Sequence, residues 1–235
     1  MITVKNNEIP GDLSFPWIDY RISKELEKDI KDIGIKKIFK KNQYFIRQGE
    51  KASSIYLLDK GGIKISTLSK EGEEKIFWFT FDGNIINDVP FFHHQVTKAS
   101  IIAIEDCICY ELDKEKVDYL LKNNIDFVYY ITNMFCEKIR ILTTRIISLS
   151  FLSSEQAVSQ HLFFMGVNYG KDVDGRIVCS KKVNQSDIAL VTSLHRVTVT
   201  KIINKLISEK IIEYDKDRNI NILEYIKLKE KAFNL

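Results

Sequence analysis

Residues 183–212, VNQSDIALVTSLHRVTVTKIINKLISEKII, decide the reading of this chain. They predict two short helices joined by a tight turn. Ala189 supplies a small side chain where the helices approach closely, and Ser193 stands in the turn, where such hairpins usually carry glycine. Val199 and Ile202 face back toward Ile188 and Leu194 and set the crossing angle. That leaves Arg196, Val197, Thr200 and Lys201 on the outward face of the second helix. A cationic outward first turn fits the major groove of DNA. An ordinary helical hairpin is the alternative that these residues alone leave open.

Downstream, Ile211–Tyr214 and Ile220–Leu223 flank Asp215–Asn219 and predict a two-strand wing. Upstream, Ser153-Ser-Glu-Gln predicts a capping box that opens a helix running to Val167, which the turn-rich stretch Asn168–Gly175 ends. Helix, turn, helix and wing together make a winged helix-turn-helix. Before it, Lys114–Leu121 reads as a short helix and Ile125 to about Ser148 as a long one. Along the long helix Val128, Thr132, Phe135, Ile139, Leu142, Ile146 and Leu149 alternate steps of four and three. That heptad seam, interrupted only by Thr132, argues for pairing with a second copy of the same helix. Phe127, Tyr130, Ile131, Met134, Ile141 and Ile147 lie outside the seam, so the helix has apolar surface to pack on its own domain as well.

From Ile38 to Leu112 the period changes to that of an all-β domain. Short apolar runs (IYLL, IKIST, KIFWFTF, SIIAI, CICYEL) are separated by Gly49, Gly61-Gly62, Gly72 and Gly83, as in a sandwich or barrel. Alternation sends about half of the aromatic run 77–81 inward. Cys107 and Cys109 fall on one face of one strand and read as buried free thiols. Their spacing is too tight for a usual zinc knuckle, and no matching His or Cys pair accompanies them.

The chain has 235 residues, 45% of them hydrophobic and 29% charged, enough for one large or two ordinary domains. No run approaches the ~18 apolar residues of a membrane helix. The N-terminus lacks a basic segment followed by an apolar one, which predicts a cytoplasmic protein. Lys+Arg and Asp+Glu balance at 22 each over residues 1–149, but stand at 13 and 10 over 150–235. The small positive excess therefore sits with the hairpin, as a phosphate-facing module would have it. No triad, carboxylate pair or metal set appears, and Ser53-Ser54 have no evident base, so an enzyme is not expected. A ligand-binding β-barrel that does not bind DNA is the competing class.

β-Barrel, heptad helix and winged helix-turn-helix, in that order, resemble the cyclic-AMP receptor protein / fumarate-nitrate regulator superfamily from about Ile35 to Leu228. The stretch Gly49-Glu-Lys-Ala-Ser-Ser-Ile-Tyr-Leu-Leu-Asp-Lys-Gly-Gly is similar to the family's first β-roll repeat, and Leu194-His-Arg-Val-Thr-Val-Thr-Lys to its recognition helix. The resemblance implies an α+β chain: a jelly-roll-like double-stranded β-helix as effector domain (1–113), a linker with the dimerisation helix (114–150) and a DNA-binding domain (151–235). It implies a homodimeric transcription regulator of palindromic DNA, with RNA polymerase as a partner if it activates. Arg196 would read a base, guanine O6/N7 being the natural choice, with Lys201 beside it. Gln185 and Thr198 would position phosphates, and Val197 would pack on a thymine methyl, giving a T/A-rich half-site.

The departures from the family bear on the signal. Its cyclic-nucleotide cassette corresponds to Gly83–Phe92 here, where Asp88 stands for the ribose-binding Glu and Pro90 for a glycine. Lys98-Ala99 stands for Arg-Ser; the lysine offers a point charge where arginine offers a fork, and the hydroxyl is gone. A cyclic nucleotide is not expected. Residues 1–106 contain no cysteine, so an iron–sulfur cluster of the family's kind is excluded on ligand count. Haem could use at most one of His93 and His94, and a hydrogen-bonding role is the more ordinary reading. The chain is most similar to members that sense small organic effectors, including the aryl-halide regulators. An effector pocket is expected beside the long helix, bounded by Trp78, Asp88, Lys98 and Tyr130. An inward Lys98 would favour a carboxylate or phenolate; a Lys98 that reaches solvent is the alternative.

Overall fold

The computed structural model describes residues 17–18, 20–179, 184–216 and 219–233, which divide into two compact units, one spanning Trp17–Arg140 and one built from Ile141 onward. The leader reading of the N-terminus, Val183 of the hairpin and part of the wing turn lie outside the described residues.

In the first unit, β1 (Trp17–Ile18) and α1 (Lys24–Ile33) precede the predicted β-domain. Ser23 caps α1 by accepting the Leu26 N–H, and Leu26 and Ile30 form its buried side. Eight strands and a short helix follow: β2 (Ile35–Phe39), β3 (Tyr44–Ile46), β4 (Ser54–Lys60), β5 (Gly62–Leu68), β6 (Glu74–Phe81), β7 (Asn84–Ile86), α2 (Asp88–His93), β8 (Ser100–Ala103) and β9 (Cys107–Asp113). They build one sheet in the order β1-β6-β5-β8-β3 and another in the order β2-β9-β4-β7. Every strand pair is antiparallel except β1 with β6. A single core cluster draws Ile63, Ile65 and Ile101 from the first sheet and Tyr56, Leu58 and Ile86 from the second, so the sheets meet face to face.

Cys107 and Cys109 are both in that core, and burial pushes their thiols up to about 11 and about 12. Cys136, by contrast, is exposed. Gly61 takes φ +111°, and a Cβ there would sit 2.7 Å from Cys107 Sγ, so this turn needs glycine for conformation and for space. The aromatic run departs from plain alternation. A register shift opposite Ile65 and Ser66 leaves Phe77 unpaired, and Phe77 and Trp78 both pack against the core cluster.

Asp113 caps α3 (Lys114–Asn123), and α4 (Ile125–Phe151) follows. Two stripes run along α4, each with the 4–3 spacing. Phe127, Ile131, Met134, Lys138, Ile141 and Arg145 are buried. Along the predicted seam, Ile139 (64%), Leu142 (40%), Ile146 (65%) and Leu149 (58%) are exposed, as is Thr132, while Val128 and Phe135 are half-buried. Ile147, expected on the inner side, is also exposed.

The second unit is centred on α5 (Ser154–Tyr169), which is buried without interruption from Val158 to Gly166. The expected capping box is present: Ser153 Oγ accepts the Gln156 N–H, and Gln156 Oε1 accepts the Ser153 N–H. Beyond Tyr169 the expected turn region contains a hairpin, β10 (Gly170–Val173) and β11 (Arg176–Cys179). Then come α6 (Gln185–Thr192), α7 (Arg196–Ser208), β12 (Ile212–Tyr214), β13 (Ile220–Ile222) and α8 (Tyr225–Phe233). The wing is thus a four-stranded sheet, β10-β11-β13-β12, rather than two strands. Helix α8 covers α5, with Tyr225 stacked on Phe163 at 4.8 Å and Phe233 edge-on to Phe163 and Phe164.

His161 lies in the middle of α5, fully buried. Burial, reinforced by the nearby Arg145 charge, pulls its imidazole down to about 3. The unfolded chain binds this proton near pH 6.5 and the native chain refuses it, so stability falls as pH drops below 6.5 and continues to fall until about pH 3. Between pH 6.5 and 5, before carboxylates protonate, denaturant titrations should show a loss approaching ~1.4 kcal/mol per pH unit. His161→Leu should flatten that segment; an unchanged slope would assign it elsewhere.

Candidate nucleic-acid interface

The two-helix hairpin forms as expected. Asn184 caps α6 reciprocally with Asp187, and Ile188, Ala189 and Val191 are buried. Ser193 adopts φ +61°, a left-handed residue where glycine would cost nothing and a side chain costs about 1 kcal/mol. Its N–H and that of Leu194 both reach the Ala189 carbonyl. Helix α7 buries Val199, Ile202, Ile203 and Leu206, which turns Arg196, Val197 and Lys201 outward. Arg196 and Lys201 are exposed, Val197 is 66% exposed and Thr198 half-buried. His195 makes no side-chain cap and no acid occupies the first turn, so the first N–H groups of α7 and its positive dipole end face outward beside Arg196.

The charge along α7 is uneven for a structural reason. At its far end Lys205 is held by Glu155 at 2.6 Å, and Lys231 reaches both Glu155 and Glu209 at 2.9 Å. Hydrogen bonds from Lys205 and Lys231 hold the Glu155 carboxyl below the usual range. This network ties α7 to α5 and α8 and neutralises that end. Arg196 and Lys201 take no part in an ion pair among the described residues, so the available cations gather near the start of the helix.

Gln185 and Thr200 differ from expectation. Thr200 Oγ1 donates to Gln185 Oε1 at 2.7 Å, and Gln185 Nε2 donates to Tyr214 Oη at 2.9 Å. The amide expected on a phosphate is committed on both sides, and the hydroxyl expected outward turns toward it. Together they brace α7 against α6 and the wing, with the Tyr214 proton left to donate outward. Nothing local in the sequence announces this bridge, because Tyr214 lies 29 residues from Gln185.

In the first unit the four expected pocket residues differ in exposure: Asp88 and Tyr130 are buried and close enough to interact, whereas Lys98 is exposed. Asp88 is buried, and its carboxylate is paired with the buried Nζ of Lys138. Tyr130 is buried, and its oxygen accepts the Ile85 N–H at 3.0 Å; burial raises its phenol. Trp78 packs on the core cluster. Lys98 is exposed, which corrects its placement in a pocket wall. Thr97 Oγ1 donates to the Ala99 carbonyl and accepts the Ala99 N–H, so Lys98 occupies the apex of a tight turn whose neighbours Thr97 and Ser100 point inward. No hydrogen bond or ring contact among the described residues joins Trp78 or Lys98 to Asp88 or Tyr130. His93 and His94 are exposed too, at the end of α2, where His94 takes φ +58°. That removes both from the roll interior where a haem ligand was considered. Among the described residues no group of three or more His, Cys, Asp or Glu could hold a metal, and no helix is long and apolar enough to cross a membrane.

A two-sheet roll, a long helix and a winged helix-turn-helix whose reading helix leads with unpaired cations define a DNA-binding regulator of two-domain type. Residues 36–124 match the cyclic nucleotide-binding domain family and residues 156–231 the Crp-like helix-turn-helix domain family. The chain belongs to the CRP/FNR family of DNA-binding transcription regulators. It is 24% identical over 171 residues to the cAMP-activated global transcriptional regulator CRP of Salmonella typhimurium, covering 71% of this chain and 80% of that one. In fold it is similar to OCPA-complexed CprK (TM-score 0.73, 19% identity, 92% and 98% of the two chains). It is also similar to a CooA mutant from Carboxydothermus hydrogenoformans (TM-score 0.77, 21% identity, 89% and 92%).

Proposed function

We propose that the chain acts as a homodimer on a palindromic, T/A-rich operator, switched by a small effector other than a cyclic nucleotide, and contacts RNA polymerase where it activates. The observation that carries the dimer is the exposed seam of α4, an apolar ridge of Ile139, Leu142, Ile146 and Leu149. Paired along it, two copies would present two α7 helices about 34 Å apart, one turn of DNA. Against a cyclic nucleotide stands the closed Asp88–Lys138 pair: the acid expected on a ribose is already neutralised from within. The exposed Lys98 and the missing hydroxyl at Ala99 leave a cyclic phosphate without its usual partners.

The direct test is Arg196→Ala. On a duplex enriched by the wild type from a randomised pool, the loss should be about 1–3 kcal/mol, and much smaller on unrelated DNA. Equal losses on both would reduce Arg196 to a phosphate contact. Failure of the wild type to enrich any sequence would remove the DNA-binding reading itself.

A further inference from the structure

The last turns of α4 and the reading helix belong to one compact unit, and one buried side chain ties α4 to the hairpin that carries that helix. Arg145 stands immediately before seam residue Ile146 but points the other way, and its guanidinium is buried. One terminal nitrogen donates to the Val191 carbonyl, and the other donates to Ser193 Oγ at 3.1 Å. Val191 is in the last turn of α6, where carbonyls lack helical partners and a cation is welcome. Ser193 is the left-handed turn residue, three positions before α7 begins. Arg145 therefore grips the corner of the hairpin rather than either of its ends.

A partly open cleft of about 30 Å³ lies beside the guanidinium, lined by Arg145, Ser148, Gln160, Val191 and Thr192 among others. Hydrogen bonds from a guanidinium are directional, so they constrain the angle at this corner in a way that apolar packing does not. We propose that Arg145 is the positioning residue that sets the angle between the two reading helices of the dimer. This rests on the dimeric DNA-binding reading above. Any pivot of the hairpin about α4 breaks both bonds, so the seam and the reading helix turn together.

The test compares the duplex enriched by the wild-type protein with the same duplex carrying one scrambled half-site. Arg145→Met should remain dimeric, keep its affinity for the single half-site, and lose about tenfold of the preference for the complete palindrome. It should also tolerate two extra base pairs between half-sites better than the wild type. Arg145→Lys, which keeps the charge but cannot reach both acceptors, should fall between. Ser193→Gly separates positioning from folding: it relaxes the left-handed turn and should melt no lower than the wild type, yet it should lower the palindrome preference in the same direction. That variant carries the test alone if Arg145→Met misfolds. Equal losses on palindrome and half-site, or a Ser193→Gly protein with the wild-type preference, would overturn the role of Arg145. A wild-type protein that enriches no sequence, or that binds palindrome and half-site equally, would overturn the dimeric reading and this role with it.

Discussion

Leu142→Asp is expected to yield a monomer. Leu142 sits mid-seam with Ile139 and Ile146 one turn away on either side, all exposed in the single chain. Pairing two mutant helices would bury two carboxylates without partners, at several kcal/mol each, in place of two apolar contacts. Because the position is exposed in the isolated chain, its own fold should be unaffected. Light scattering should report half the wild-type mass. Affinity for the palindrome should drop by about 10²–10⁴ as bivalency is lost, while a single half-site is bound much as before. A mutant that remains dimeric would place the seam elsewhere on the molecule.

Lys138→Met carries the second large effect, on stability. Lys138 is buried at the centre of the inner stripe of α4 and neutralises buried Asp88. Taking the lysine away strands a carboxylate in the interior, which costs about 3–5 kcal/mol. Adding Asp88→Asn removes the stranded charge and should recover at least half of the loss. A full double-mutant cycle in denaturant would give the coupling directly. Additive losses would mean that the two side chains do not depend on each other. The same double variant, having no charge to satisfy, should still melt cooperatively.

Periodicity made the architecture legible before any coordinates. The glycine-punctuated strands, the Ser153 capping box and the outward Arg196, Val197 and Lys201 all rest on local rules, and all are present. What escaped was set by distant partners. Edge strand β2 has Ile35 and Ile38 exposed, so it shows no alternation to find. Gln185 looked like a phosphate ligand because its type and position suit one, but Tyr214 and Thr200 claim both ends of its amide. The sequence left Lys98 between a pocket wall and solvent, and the turn closed by the Thr97 hydroxyl places it in solvent. Lys138 and Arg145 were assigned to neither face. Extending the 4–3 count from Phe127 through Ile131, Met134 and Ile141 would have placed both on the buried side.

Those two cations also bear on how α4 chooses which way to face. Its outer stripe is the more apolar, and the stripes are one residue apart, so a roll of about 100° exchanges them. Burial of greasy surface alone would favour the mistaken orientation within a single chain. Lys138 finds Asp88, and Arg145 finds the Val191 carbonyl and Ser193, only in the native one. Rolled over, the helix would present both cations to the surface and leave Asp88 interred with no counter-ion. The inner polar contacts thus act as a key to rotational phase: the weaker hydrophobe is held inward and the stronger one stays exposed, as the proposed pairing requires.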